Sequence, residues 1–200
     1  AHRAALLLRL HRRAGGPAAH RRLLCGLPPL LHAALPGRAG FASAAQPGHP
    51  ARVSVIVPTN RHVPWGLRAL AAQDVEVEIM VVDNSPTPLR GDDLALARVL
   101  RLPWEGHGPT RQRAVERTTG DYVFFTVDDA IPRGAGFLRS LVEALEDGGY
   151  DAISARQLPW PDSDPVTSRR LRGWTPPGHR HRKADQTDHV AALYRRQTLL

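Results

Sequence analysis

Three runs of apolar, largely β-branched or aromatic residues mark the middle of the chain, and each ends abruptly in polar groups. Val53–Val57 runs into Pro58-Thr59-Asn60, Val77–Val82 into Asp83-Asn84-Ser85, and Tyr122–Val127 into Asp128-Asp129. Nearly continuous apolar runs of this length suit strands buried on both faces, the condition of a parallel sheet covered by helices. Segments with helical character fall between them. Pro64–Gln73 opens with proline, and Pro109–Thr119 lies between Gly108 and Gly120. Gly136–Glu146 places Phe137, Leu138, Leu141, Val142 and Leu145 on one face. Ala97–Leu102 and Tyr150–Ala155 read as further strands, and His189–Tyr194 as one more. The alternation predicts an α/β fold with a mostly parallel sheet flanked by helices. Residues 158–183 have little periodicity and read as a long irregular segment.

In an open α/β sheet, ligands bind beyond the carboxyl ends of the strands. Three polar clusters at strand ends therefore converge on one candidate site. Taken singly, each is also what a turn needs, and Asp129, shortly before Ile131-Pro132, reads by itself as a cap. Successive strand side chains point to opposite faces, so Asp128 and Asp129 reach one ligand only if the strand is ending there. Adjacent carboxylates repel unless they are solvated or bound to a cation. A divalent cation with oxygen ligands, Mg²⁺ or Mn²⁺, relieves that conflict and can bridge to a diphosphate.

The formal charge of +8 suggests nucleic acid until its distribution is considered. Residues 1–50 hold seven Arg and no acid, whereas residues 51–200 hold 20 basic and 19 acidic side chains. The domain carries no basic stripe of the kind that tracks a phosphate backbone, so nucleic acid is not an expected partner. The single cysteine, Cys25, excludes an intrachain disulfide and a cysteine-cluster metal site. Residues 1–51 form an Ala-, Arg- and Pro-rich extension, broken at Gly15-Gly16-Pro17, Pro28-Pro29 and Pro36-Gly37, and expected to be poorly ordered. A targeting peptide and a basic segment in peripheral contact with an anionic membrane are the competing readings. The apolar stretches Ala4–Leu10 and Leu23–Leu35 are broken short of the roughly 20 residues a spanning helix needs.

The motifs resemble those of family 2 glycosyltransferases. Val53–Asn60 (VSVIVPTN) is similar to the family's opening strand, and Glu78–Pro86 (EIMVVDNSP) to its second strand and Asp-bearing turn. Gly108–Asp129 (GPTRQRAVERTTGDYVFFTVDD) resembles the helix, Gly-Asp-Tyr and strand that end in an Asp-x-Asp-type metal motif. His189–Arg196 (HVAALYRR) resembles a later strand with a Tyr-Arg-Arg-like ending. The likeness spans residues 52–200. Thr126–Pro132 (TVDDAIP) and Ala155–Pro165 (ARQLPWPDSDP) further resemble the rhamnosyltransferase-like branch, with Asp128 in place of its usual Gln and Ala155 in place of Gly.

The resemblance implies a GT-A-like fold whose Rossmann-like half binds a nucleoside diphosphate sugar. The donor would be dTDP-rhamnose or a UDP- or GDP-sugar, held through Mg²⁺ or Mn²⁺. The sugar would pass with inversion to a hydroxyl of a saccharide or lipid-linked acceptor. Pro58, Thr59 and Asn60 match the loop against the nucleotide. Asp83 matches the acid at the base or ribose, with Asn84 a second candidate. Arg111 matches an arginine near the diphosphate, Asp129 the metal-binding acid, and Asp128 a ribose or second metal contact. The family's general base follows the Tyr-Arg-Arg-like strand, so it is expected beyond Leu200. The implied setting is cytoplasmic, at the inner face of the plasma membrane, in cell-surface polysaccharide synthesis. A nucleotide-sugar-binding module without turnover and a nucleotidyltransferase-like enzyme are the alternatives. Pro58-Thr59-Asn60-Arg61 is not the glycine-rich loop the latter favours.

Overall fold

The computed structural model describes residues 7–13, 20–26, 32–36, 51–159, 163–174, 182–184 and 189–200. Strands β1 (Leu7–Arg13), β2 (His20–Gly26) and β3 (His32–Pro36) come first. Then follow β4 (Arg52–Thr59), α1 (Leu67–Ala71), β5 (Glu76–Asp83), β6 (Arg98–Arg101), α2 (His107–Val115), β7 (Tyr122–Thr126) and β8 (Ala130–Arg133). The chain continues through α3 (Phe137–Asp147), β9 (Tyr150–Ser154), α4 (Pro165–Trp174), β10 (Arg182–Ala184) and β11 (Ala191–Arg195). The main sheet has the order β10-β3-β9-β11-β7-β4-β5-β6, and β2-β1-β8 forms a smaller one. The three expected central strands sit together: β4 runs parallel to both β5 and β7, and β6 runs parallel to β5. Strand β11 is antiparallel to β7 and β9.

Burial on both faces follows from the apolar runs. Val53, Val55, Val57, Ile79, Val81, Tyr122 and Phe124 face one core with α1 and α3. Ile56, Met80, Val82, Val123 and Phe125 face the other with Ala114 and Val115 of α2. Gly120 turns into β7 where a Cβ would lie 2.6 Å from Ser54 Oγ and 2.8 Å from Arg52 O, so only glycine allows this approach to β4. No helix among the described residues is long and apolar enough to cross a membrane.

Three local features differ from the sequence reading. Helix α1 begins at Leu67 and not at Pro64, and the Trp65 N–H just before it donates to the Asp128 carbonyl at 3.0 Å. The irregular segment contains helix α4. Its signal is local: Asp164 accepts from the Thr167 N–H at 3.0 Å as an N-cap, and Pro165 opens the first turn. Strand β8, directly after the acidic pair, pairs with β1 and has no apolar run to announce it.

Candidate functional site

The order of strands fixes where a ligand can sit. From β4 the chain crosses by α1 to β5 on one side and then reaches β6. From β6 it returns by α2, on the opposite face, to β7 on the other side of β4. The point between β4 and β7 is thus a topological switch, where an open α/β sheet leaves a crevice at its carboxyl edge. Thr59 ends β4 and Asp128 follows β7, so these two residues flank that crevice.

The acidic pair lies in a turn. The Ala130 N–H donates to the Val127 carbonyl at 3.2 Å, which lifts Asp128 and Asp129 out of the alternating strand geometry. Gly66, at the start of α1, supports the turn from below: a Cβ there would stand 2.4 Å from Ala130 O. Asp128 is 6% exposed and Asp129 5%, so both carboxylates need partners. The Thr59 hydroxyl lies 2.8 Å from Asp128 Oδ2 and 2.9 Å from the His62 carbonyl, and its single proton serves one of them at a time. Arg61 grips Asp128 with two donors, Nε to Oδ2 at 3.0 Å and Nη2 to Oδ1 at 2.9 Å, and reaches Asp129 Oδ2 at 3.4 Å. The Asp128 hydrogen bond raises the Arg61 pKa above its ordinary value, against the cost of partial burial. His62 stacks on Trp65 with ring centroids 4.9 Å apart, and its Nε2 is 3.7 Å from Asp128 Oδ2.

Asp83 stands opposite Thr59 in the β4–β5 register and opposite Arg101 in the β5–β6 register. Only 2% exposed, it accepts from the N–H groups of Ser85 (2.9 Å) and Leu89 (3.2 Å), the Ser85 hydroxyl, and Arg101 Nη1 (3.1 Å). Burial pushes its carboxyl up, but the bonds from Ser85 and Leu89 and the nearby Arg101 charge outweigh it, and the pKa lies below the ordinary value. Arg101 Nη2 also donates to the carbonyls of Ser85 and Pro86, so this pair ties down the loop after β5. Asn84 donates from its backbone to Thr59 O (2.8 Å) and from Nδ2 to Leu102 O (2.9 Å). Its Oδ1 is buried without a hydrogen-bond partner among the described residues. Pro58 is half-buried and Asn60 is exposed beside Arg61.

Arg111 belongs to the other face of the sheet. It lies on α2, with Nη1 donating to His107 O at 3.3 Å and the guanidinium carbon 6.0 Å from the centroid of the Phe125 ring. His189 and Tyr194 pack against the same ring, 5.2 and 5.6 Å away, and His189 Nε2 is 2.8 Å from the Tyr194 hydroxyl. The carboxyl edge thus joins Thr59 and the Asp128 turn directly. Asp83 is in register with Thr59, and Arg111 stands across the sheet.

Sequence reasoning missed Arg61 and Arg101, although both make the ion pairs that shape this edge. Their only signal is position, one directly after Thr59-Asn60 and the other at the end of the β6 run.

The sequence profile described as glycosyl transferase family 2 matches residues 54–197, which includes every element of this edge. The chain belongs to that family. Among solved structures, it is similar to a mannosyltransferase from Pyrobaculum calidifontis in complex with GDP-Man and Mn²⁺. That match has 19% identity and a TM-score of 0.53, and covers 76% of this chain and 47% of the other. A second similar structure is glucosyl-3-phosphoglycerate synthase from Mycobacterium tuberculosis in complex with uridine diphosphate. There the identity is 21% and the TM-score 0.47, over 84% of this chain and 65% of the other. The chain therefore spans about half the length of the mannosyltransferase. No curated protein matches the sequence. The fold is that of the GT-A glycosyltransferases, a mostly parallel central sheet flanked by helices.

Proposed function

We propose that this family 2 domain binds a nucleoside diphosphate sugar at the β4–β7 crevice and serves an enzyme that transfers the sugar, with inversion, to an acceptor hydroxyl. The observation that carries the reading is the convergence of Thr59, Asp83 and the buried Asp128–Asp129 turn on the carboxyl edge of three parallel strands at the topological switch. Pro58, Thr59, Asn60, Asp83 and Asn84 would line the nucleotide side. Arg111, on the helix covering the other face, would offer a planar fork only to a diphosphate that extends past the carboxyl edge to that side.

A divalent cation fits the acidic turn. Mg²⁺ and Mn²⁺ sites on phosphorylated substrates take one or two carboxylates and leave the remaining positions to water and phosphate oxygen. Among the described residues no three acidic, His or Cys side chains form a cage, so the metal would rest on the two carboxylates and on donor oxygens. The Arg61 guanidinium already occupies the turn as a stand-in cation. Asp129 and Asp128 are the residues that would hold the metal, which when bound offsets negative charge on the leaving diphosphate. The mannosyltransferase of similar fold, in complex with GDP-Man and Mn²⁺, supports this donor class. Of the donors, dTDP-rhamnose follows from the TVDDAIP and ARQLPWPDSDP resemblance.

Calorimetric titration of the chain with GDP-, UDP- and dTDP-sugars, with Mn²⁺ and then with chelator, tests the reading. The expected result is binding of at least one donor that weakens on chelation and in Asp129→Ala. Absence of heat from every donor at saturating metal sinks it.

A further inference from the structure

The carboxylates at the switch point already have a cation. Asp128 and Asp129 are almost fully buried and carry two negative charges on adjacent residues. Arg61 neutralises one of them through a two-pronged contact with Asp128 and reaches Asp129 with the same Nη2. Paired N–H donors on a carboxylate are among the stronger side-chain hydrogen bonds. Both Asp128 oxygens are engaged by the guanidinium, so a divalent ion on the same carboxylate would stand beside a like charge, and the two cations compete for it. Arginine stays protonated in proteins, so it gives way by moving and not by losing its charge. Movement is open to it. Its side chain is 42% exposed, against 8% for that of Asp128, and it belongs to the bend at residues 60–62 between β4 and α1. The guanidinium therefore lies at the rim with solvent on its free side, while its partner is fixed below.

We infer that Arg61 is a built-in counter-ion of the Asp128–Asp129 turn, a latch that must swing off these carboxylates before they take a divalent cation. The inference rests on the reading of that turn as the metal-binding end of the donor site. Charge favours the exchange. A doubly charged ion brings one more positive charge to the two carboxylates than Arg61 does. The contact with Asp128 resists it, since paired hydrogen bonds between charged groups are among the stronger ones. Arg61 thus keeps the acidic turn intact without metal and lowers its metal affinity.

The test is Mn²⁺ alone, with free Mn²⁺ followed by electron paramagnetic resonance, on the full chain and on Arg61→Gln and Arg61→Lys. The expected result is that Arg61→Gln binds Mn²⁺ about 10- to 100-fold more tightly than the parent. Arg61→Lys, which keeps the charge but loses the fork, falls between. A second measurement needs no substitution to fold well: the Nε–H resonance of Arg61 in the parent chain, titrated with diamagnetic Mg²⁺. Release predicts that it shifts and broadens in step with occupancy. Where Arg61→Gln does not fold, this resonance decides. Equal or weaker Mn²⁺ affinity in a folded Arg61→Gln, or an Arg61 resonance unmoved at saturating Mg²⁺, overturns the latch alone. No binding of either ion to any of the proteins overturns the metal reading and the latch together.

Discussion

Arg195, the last residue of β11, holds Glu146 near the end of α3 by two hydrogen bonds, Nη1 to Oε1 at 2.6 Å and Nη2 to Oε2 at 3.0 Å. The pair sits at the edge of the sheet away from the acidic turn, since Arg195 is opposite Tyr122 at the start of β7. Arg195 Nε donates to Tyr150 O at 3.0 Å, and the Tyr122 hydroxyl donates to Glu146 Oε1 at 2.5 Å. Burial, the bond to Glu146 and its charge all push the Tyr122 phenol well above its ordinary pKa. One cluster thereby ties β7, α3, β9 and β11 together.

Arg195→Met leaves the Glu146 carboxylate without its fork and is expected to destabilise the fold by about 3 kcal/mol. Urea unfolding followed by circular dichroism measures this. Combining it with Glu146→Leu should restore part of the loss, because the second change removes the stranded charge. A double variant less stable than the single one by the full cost of Glu146→Leu alone shows that the two do not interact.

Gly66→Ala places a methyl group 2.4 Å from the Ala130 carbonyl oxygen. Backbone cannot rotate away as a flexible side chain can, so α1 or the turn after β7 must shift. The expected cost is about 1–3 kcal/mol, accompanied by weaker Mn²⁺ binding because Asp128 and Asp129 move with that turn. Unchanged stability and unchanged Mn²⁺ affinity together contradict the close packing.

Asp83 gives the stability of the domain a sign in acid. Its pKa is depressed in the folded state, so its bonds contribute fully above the unfolded value, about 3.9, and are lost as pH falls through the lower folded value. Chemical unfolding at pH 5, 4 and 3 should show Asp83→Asn less stable than the parent at pH 5 but losing less on acidification. Parallel pH dependences in the two proteins would rule out this role.

Arg111→Ala is expected to weaken nucleoside diphosphate binding about tenfold or more, the scale of a lost hydrogen bond to a charged group. Its stability should fall by no more than about 1 kcal/mol, the worth of an exposed cation–aromatic contact. Calorimetry and thermal melting separate the two effects. Retained nucleotide affinity assigns Arg111 a structural role beside Phe125.

The sequence by itself determined the central sheet. Val53–Val57, Val77–Val82 and Tyr122–Val127 are apolar nearly without interruption, and a chain has few ways to bury such runs on both sides other than adjacent parallel strands under helices. The same runs located the carboxyl-edge polar groups, because a strand's end is legible where its apolar pattern stops. Tertiary structure decided which of those groups meet. Arg61 is one arginine among 26, and no local pattern distinguishes it from the others. Its pairing with Asp128, 67 residues away, exists because β7 returns beside β4 and the turn after β7 lifts the carboxylate toward the bend after β4. Arg101 likewise found Asp83 through strand register, and Arg111 was set on the opposite face by the crossover of α2. Burial periodicity is a property of neighbours along the chain, whereas an ion pair depends on distances that only the assembled sheet defines.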